Sequence, residues 1–514
     1  MAGQYPWYSS ENRGGPTLTS LGWCKLTNTS ITAIKTSFVL LFSGFCSPMN
    51  IQDHSWLVKF SQFCLGKGLS LYFPLILTAV LAGGYGSDGA TDWTENKGTP
   101  PSYPSHSPSV SPSPDIVNTS PPLRLISPQS IPSIVGWDER LRGWLGQPGD
   151  RQVLLTAIQN SIHYLSTPHA LEAYQRYEKG VGASLVQSTP LNRCDETLLE
   201  RVKRSLNRFR QLLVGFNSPH GLQSAVRREF IFYQSIGKDG QGQVGFTGYF
   251  QPVYAASRTA TDVYRYPLFR TPPDIHQWTK PHPTRGELEG RDGLQSHQGM
   301  LKGLELVWLR DRLEAFLVHV QGSAQLRLTD QTIMTVGYAG RTDYPYTSIG
   351  KELIKDGKVP SKGLTLPAVL AYLQKHPKEV DEYLTRNQRM VFFRETFGSP
   401  ATGSLRVPVT PERSIATDKS IFPPGALAWF QTSIPYPPHS NHPSPGLINL
   451  KQRNVGRFAL DQDTGGAIIG AGRVDIFMGT GELAGQQAGL INTPGKLYYL
   501  LLPTCPWNKR LSKP

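Results

Sequence analysis

At 514 residues the chain exceeds what one compact core organises, and domains of about 100–200 residues imply two or three folded units. Lys and Arg outnumber Asp and Glu by 52 to 38, a formal charge of +14 that favours anionic partners such as nucleic acid, anionic lipid or acidic wall polymer. A nucleic-acid module is disfavoured, because no run of Lys or Arg interleaved with aromatics and no C-x-x-C or C-x-x-H pair occurs.

Residues 1–68 are rich in Ser, Thr, Asn and Gly with little periodicity and read as a disordered extension. Lys67 then precedes LSLYFPLILTAVLAGGYG at 69–86, the layout of a secretory signal with small residues after the apolar core. That core is shorter than the about 20 residues of a spanning helix, and Pro74 interrupts it, so cleavage is preferred to a retained anchor. A signal this late suggests a true start downstream of Met1, at Met49 for instance. No cysteine follows Leu81-Ala82-Gly83, so a lipid anchor is not supported, whereas export to the periplasm or cell envelope is. Residues 87–133 form a linker, with 10 Pro and 10 Ser between 100 and 133.

From 134 to 216 the pattern turns helical: Leu154, Ile158, Ile162 and Leu165 share one face, as do Leu198, Leu199, Val202, Leu206, Phe209 and Leu213, with Asp195 a candidate N-cap. Beyond Gly240 short runs of Val, Tyr, Phe and Thr between Gly and Pro turns predict a mainly β fold. Two helical islands interrupt it, Trp308 to Val320 and Pro367 to Arg386, and short strands resume from 403 to 503. Helices first and strands later, without βα alternation, argue against a doubly wound sheet. Of the five cysteines three precede the folded region, and Cys194 and Cys505 are either a pair or two unpaired small hydrophobes.

The stretch RFALDQDTGGAIIGAGRVDIFMGTGELAG at 457–485 is dense in glycine and carboxylate. Its glycines permit tight turns and close backbone approach, so that Asp463 and Asp475 are presented near strand ends. In RVDIF, alternation puts Val474 and Ile476 on one face and Asp475 on the other. A carboxyl on so apolar a strand has its pKa raised and stays protonated near neutrality, as a general acid requires. A turn or backbone hydrogen-bond acceptor is the plainer role for an aspartate in a glycine-rich loop, and spacing alone does not decide between them.

Six blocks, GYFQPVYAASR at 248–258, VQGSAQLRL at 320–328, GYAGRTDYPYTSIGK at 337–351, VFFRE at 391–395, ATDKSIFPPGALAWF at 416–430 and DQDTGGAIIGAGRVDIFMGTG at 461–481, together resemble the membrane-bound lytic transglycosylase A family and follow its order. The resemblance runs from about Gly248 to Leu502. It implies a double-psi β-barrel domain with a smaller β-rich domain inserted and a glycan groove between them. On this chain the barrel would begin within 134–252, the insert span 253–399, and 400–514 complete the barrel as the three-aspartate domain.

The resemblance also implies a peptidoglycan lytic transglycosylase active in cell-wall turnover. Asp475 would be the catalytic acid, Asp463 and Asp418 supporting neighbours, and Tyr249, Gln251, Gln321, Ser323, Tyr338, Tyr346 and Ser348 would hold sugar rings and acetamido groups. Peptidoglycan strands are the implied partner, without nucleic acid, and membrane association would run through the N-terminal apolar segment. No cofactor or metal is expected, since no H-x-x-x-H or H-E-x-x-H cluster falls within the blocks, and His319 at the end of an apolar helix is read as structural. Two positions depart from the family pattern: Gln251 stands where a smaller hydroxyl residue is expected, and the loop IIGAGR is one residue longer. A two-carboxylate glycosidase on the same scaffold and a non-catalytic wall-binding protein are the competing readings.

Overall fold

The computed structural model describes residues 121–504 except 135, 145–146, 181–195, 217 and 439–448. The expected extension, signal and most of the linker, together with Asp195, Cys194 and Cys505, lie outside the described residues. Strand β1 (Leu123–Leu125) pairs antiparallel with β2 (Ile231–Ser235), so the fold is entered about ten residues before the linker's expected end at 133. Between them run α1 (Arg151–Leu165), α2 (Pro168–Lys179), α3 (Leu198–Gly215) and α4 (Pro219–Glu229). The α3 stripe of Leu198, Val202, Leu206, Phe209 and Leu213 is buried as its spacing predicts. Its cap is Thr197, whose hydroxyl accepts from the Glu200 amide while the Glu200 carboxylate reaches back, a capping box in place of the expected Asp195. Ser218 and Pro219 open α4 just past the predicted end of the helical region.

The chain continues through β3 (Val244–Gln251), β4 (Val253–Ser257), β5 (Tyr266–Phe269), β6 (Glu305–Leu309), α5 (Arg312–Gln321), β7 (Ser323–Leu328), β8 (Ile333–Arg341), α6 (Ile349–Lys355), α7 (Leu366–Lys375), α8 (Pro377–Arg386) and β9 (Val391–Glu395). It closes with β10 (Ser414–Ala416), β11 (Leu427–Tyr436), β12 (Lys451–Asp463), β13 (Arg473–Thr480), α9 (Glu482–Leu490) and β14 (Asn492–Leu501). The first helical island is thus part strand: 305–309 pairs in a sheet, and the helix starts at Arg312, capped by the Asp311 carboxylate. The second is two helices, because Pro377 offers no amide and its ring excludes the preceding turn. Helices α6 and α9 fall where only strands were expected.

Strands β14, β11, β12, β10, β13 and β3 pair in that order, and β3 pairs again with β14, which closes a six-stranded barrel. Two of its pairings, β10 with β12 and β13 with β3, are parallel. This is the double-psi β-barrel, with the N-terminal helices packed against it in one apolar core. A second six-stranded sheet, β9-β8-β7-β4-β6-β5, has its own cores and comes entirely from 253–395. Only Pro252 separates barrel strand β3 from β4, so the smaller β-rich unit is threaded into the barrel chain.

A buried ion network ties the N-terminal segment to the barrel. The Arg413 side chain, 0% exposed, donates to Asp138 at 2.6 Å and to Asp150 at 2.6 and 2.7 Å. Arg457 adds Glu139 at 2.8 Å and Glu412 at 3.4 Å. Burial pushes the Asp150 carboxyl up, but Arg413, followed by Arg140 and Arg457, holds it below the usual carboxylate value. A depressed folded-state pKa contributes stability above the ordinary carboxylate pKa that is lost as pH falls through the depressed value. Arg413→Leu removes the fully buried partner of both Asp138 and Asp150, leaving them only the Arg457 contact at 3.8 Å and the Arg140 contact at 3.1 Å, and is expected to cost about 3 kcal/mol. Urea unfolding at pH 7 measures that loss, which shrinks as the pH is lowered toward the depressed range where Asp150 protonates.

Candidate active site

Asp475 occupies the third position of β13, with Val474 and Ile476 fully buried on the opposite face of the strand. The register sets its neighbours. Thr247 of β3 lies directly beside it, Ala416 of β10 lies on its other side, and Ala416 is in turn the partner of Asp463 on β12. Directly paired residues share a face, so Thr247, Asp475, Ala416 and Asp463 form one row across four strands. Strands about 4.8 Å apart put the two aspartates' Cα atoms roughly 10 Å apart, with only the alanine methyl between them.

The three aspartates differ in how their oxygens are used. Asp463 is saturated: Oδ1 accepts the Ser404 and Thr464 amides at 2.7 and 2.8 Å, and Oδ2 accepts the Tyr249 hydroxyl at 2.8 Å. Glycine at 403 is what lets Ser404 approach, since a Cβ there would stand 2.6 Å from the Gln462 carbonyl oxygen. Asp418 is saturated too, holding the Ser420 amide and hydroxyl at 3.0 and 2.6 Å and the Gly470 amide at 2.7 Å. It pins the IIGAGR loop. Asp475 by contrast takes only the Thr247 hydroxyl on Oδ1, with Arg473 Nη2 3.5 Å from the same oxygen and 3.1 Å from Thr247 Oγ1.

Its side chain is 18% exposed, and among the described residues Oδ2 takes no hydrogen bond. Burial pushes the Asp475 carboxyl up to about 6, with the Arg473 charge opposing and the Asp463 charge adding to the shift. Asp463 is raised by burial, against the three hydrogen bonds it accepts.

Of the residues expected to hold sugar, Tyr346 is half-buried and feels the charges of Arg473, Asp475 and Arg389 beside it. Tyr338 is 48% exposed at a bulge in β8. Tyr249 touches the site through Asp463 and packs on Phe477, ring centroids 5.2 Å apart. The remaining four have contacts within the fold. Gln251 is buried and accepts from the Thr480 hydroxyl at 3.0 Å, Gln321 accepts the Phe250 amide at 3.0 Å, Ser323 is buried at the start of β7, and Ser348 caps α6. The unexpected amide at Gln251 therefore fastens the end of β13 instead of lining the groove.

Three further residues were not legible as site residues. Thr247 stands one position before the first matched block, Arg473 lies inside a block with no charge partner apparent from sequence, and Arg389 projects from the turn before β9. Asp461, the first acid of the D-Q-D run, is fully buried and binds Thr417 at 2.7 and 2.9 Å and Tyr499 at 2.7 Å. Lys419 bonds both its carboxylate and the Asp463 carbonyl, which fixes the backbone under Asp463. His319 is buried against Arg285 at 3.2 Å, a structural position as expected.

Comparison with known proteins adds to this geometry. Residues 245–394 match the family description "MltA specific insert domain", and residues 413–501 match "3D domain". The membrane-bound lytic murein transglycosylase A of Escherichia coli K12 is 32% identical over 271 residues, 52% of this chain and 68% of the relative. That of Vibrio cholerae O1 is 32% identical over 278 residues, with the same coverage of 52% and 68%. The E. coli crystal structure with bound chitohexaose aligns at a TM-score of 0.48 and 26% identity, covering 66% of this chain and 90% of that one. A closed six-stranded barrel with an inserted β-rich unit, together with these relatives, defines a lytic transglycosylase, and this chain is an enzyme of that class. It belongs to the membrane-bound lytic murein transglycosylase A family.

An acid with a raised folded-state pKa stabilises the fold fully below its unfolded value, near 3.8, and that contribution is lost as pH rises through about 6. Ionised Asp475 thus costs the fold up to about 3 kcal/mol at neutral pH, at about 1.4 kcal/mol per pKa unit. Asp475→Asn is expected to raise the melting temperature at pH 7.5 and to have little effect at pH 4, as calorimetry across that range would read.

Proposed function

We propose that Asp475 is the sole acid–base group of this lytic transglycosylase, acting on the β-1,4 bond between N-acetylmuramic acid and N-acetylglucosamine in peptidoglycan. The observation that carries this reading is the unequal use of the carboxylates. Asp463 and Asp418 have both oxygens engaged by amides and hydroxyls, and of the three only Asp475 keeps an oxygen without a hydrogen bond among the described residues, with a pKa in the working range. A hydrolase would need a second free carboxylate to activate water or attack the sugar. Saturation of the other two disfavours that competing reading.

In the proposed reaction the protonated Asp475 gives its proton to the bridging oxygen as the bond to muramoyl C1 breaks. The muramoyl C6 hydroxyl attacks C1 and its proton passes to the Asp475 carboxylate, which restores the acid. The product ends in 1,6-anhydro-N-acetylmuramic acid, and no water enters. An attacking hydroxyl held on the substrate itself gains the advantage of an intramolecular reaction, roughly 7–11 kcal/mol when well oriented. Thr247 and Arg473 position the Asp475 carboxyl, Tyr249 holds Asp463, and Tyr346 with Tyr338 supplies aromatic faces to the sugar rings.

The division proposed for the chain puts the insert at 253–399 and the barrel on either side of it. The enzyme works on the cell envelope, and export to the periplasm is proposed from the signal-like segment at 69–86. Among the described residues no helix is long and apolar enough to cross a membrane.

Mass analysis of fragments released from purified sacculi tests this reading. Anhydro-ended muropeptides are expected, fragments with a hydrated reducing end would identify a hydrolase, and no release at all would identify a binding protein. Turnover is expected to fall as pH rises through about 6, where Asp475 loses its proton. Asp475→Asn should lower it by at least roughly a hundredfold, the low end for removal of a general acid.

A further inference from the structure

The insert carries two arginines that nothing in the reaction uses. Arg389 Nε donates to the Tyr344 carbonyl at 2.7 Å, and Arg341 Nη1 donates to the Thr342 carbonyl at 3.1 Å and to the same Tyr344 oxygen at 3.5 Å. The two guanidiniums therefore converge on one carbonyl. Arg389 also reaches the barrel, because a side chain added at Gly466 would overlap its guanidinium. Tyr346 feels the charges of Arg473, Asp475 and Arg389.

Nearby arginines have acidic partners. Arg473 faces Asp475, and Arg386 is paired with Glu352, Asp356 and Glu382. Among the described residues Arg341 and Arg389 make no ion pair, although Arg389 is half-buried. Burial, followed by the Arg341 charge, lowers Arg389 to about 10, a cost that an anion placed between the two would relieve.

The Arg389 backbone is fixed as well. Fully buried Arg285 donates to the carbonyls of Asn387 at 3.1 Å and Arg389 at 2.8 Å, and Thr342 accepts the Met390 amide at 3.0 Å. A guanidinium fork on so rigid a support matches the planar two-oxygen geometry of a carboxylate.

We propose that Arg389, with Arg341 beside it, forms a carboxylate-binding subsite of the groove that reads acidic groups carried on the glycan strand. The proposal rests on the peptidoglycan reading above. Two sources offer that chemistry: the lactyl carboxylate of a muramic acid stripped of peptide, and the free carboxylates of a stem peptide. Neutral chito-oligosaccharides offer neither.

Binding is measured in an Asp475→Asn background, so that affinity is read without turnover, on naked glycan strands, on the same strands with their carboxyls amidated, and on peptide-bearing strands. Arg389→Gln is expected to weaken binding to naked strands about tenfold and to leave amidated strands unaffected, if the lactyl group is the ligand. If the stem peptide is the ligand, the loss is confined to peptide-bearing strands. Arg341→Gln, on an exposed side chain, is expected to show the same selectivity with a smaller loss, and Arg389→Lys to recover part of the affinity. Equal loss on charged and amidated strands, or no loss on any, overturns the subsite. Absence of anhydro-ended products from the otherwise wild-type enzyme would contradict the catalytic reading instead, and the binding comparison would still decide the subsite.

Discussion

Withdrawal of one carboxyl group from water is the constraint on which the rest of the site depends. Asp475 sits on a strand whose neighbouring side chains point into the barrel core, so its own side chain is left on a surface with few polar groups to solvate a charge. The Thr247 hydroxyl and a longer contact from Arg473 fall short of full compensation, and the proton is retained to about pH 6. An acid that is strong enough to donate and still protonated under mildly acidic conditions follows from that imbalance. Barrel closure produces it: β3 must return beside β13 in parallel register for Thr247 to be the only hydroxyl bonded to that carboxyl.

The surrounding charges are distributed so that only this group remains available. Asp463 and Asp418 organise loops, Asp461 and Lys419 stiffen the strand beneath, and the Arg413 network holds the N-terminal segment against the barrel. Buried ionic groups of this kind add little net stability compared with apolar packing, but losing one partner is costly, and they fix a single arrangement. The insert faces this rigid floor with aromatic and cationic side chains.

Much of this was legible in the sequence where a local rule sufficed. Alternation around Asp475, the apolar stripe of α3 and the glycine-rich turns each follow from neighbours a few residues apart. The six-block resemblance supplied the barrel, the insert and the three aspartates. What escaped depends on long-range pairing or on end effects. Thr247 meets Asp475 only through a parallel register spanning more than 200 residues of chain, and Arg389 reaches Gly466 only because the insert folds back over the barrel. Proline at 377 splits one periodic run into two helices, and the strand at 123–125 is too short to carry a pattern of its own. Gln251, Gln321, Ser323 and Ser348 have the chemistry of sugar ligands, and their partners inside the fold, which sequence does not show, are the Thr480 hydroxyl for Gln251, the Phe250 amide for Gln321 and the first turn of α6 for Ser348.

The central claim is a protonation state, and infrared difference spectroscopy between the native chain and its Asp475→Asn counterpart reads it directly. A carboxylic acid C=O band absent from the variant and disappearing with a midpoint near pH 6 is the predicted result. A midpoint near 3.8, the value of an ordinary solvated aspartate, would contradict the account.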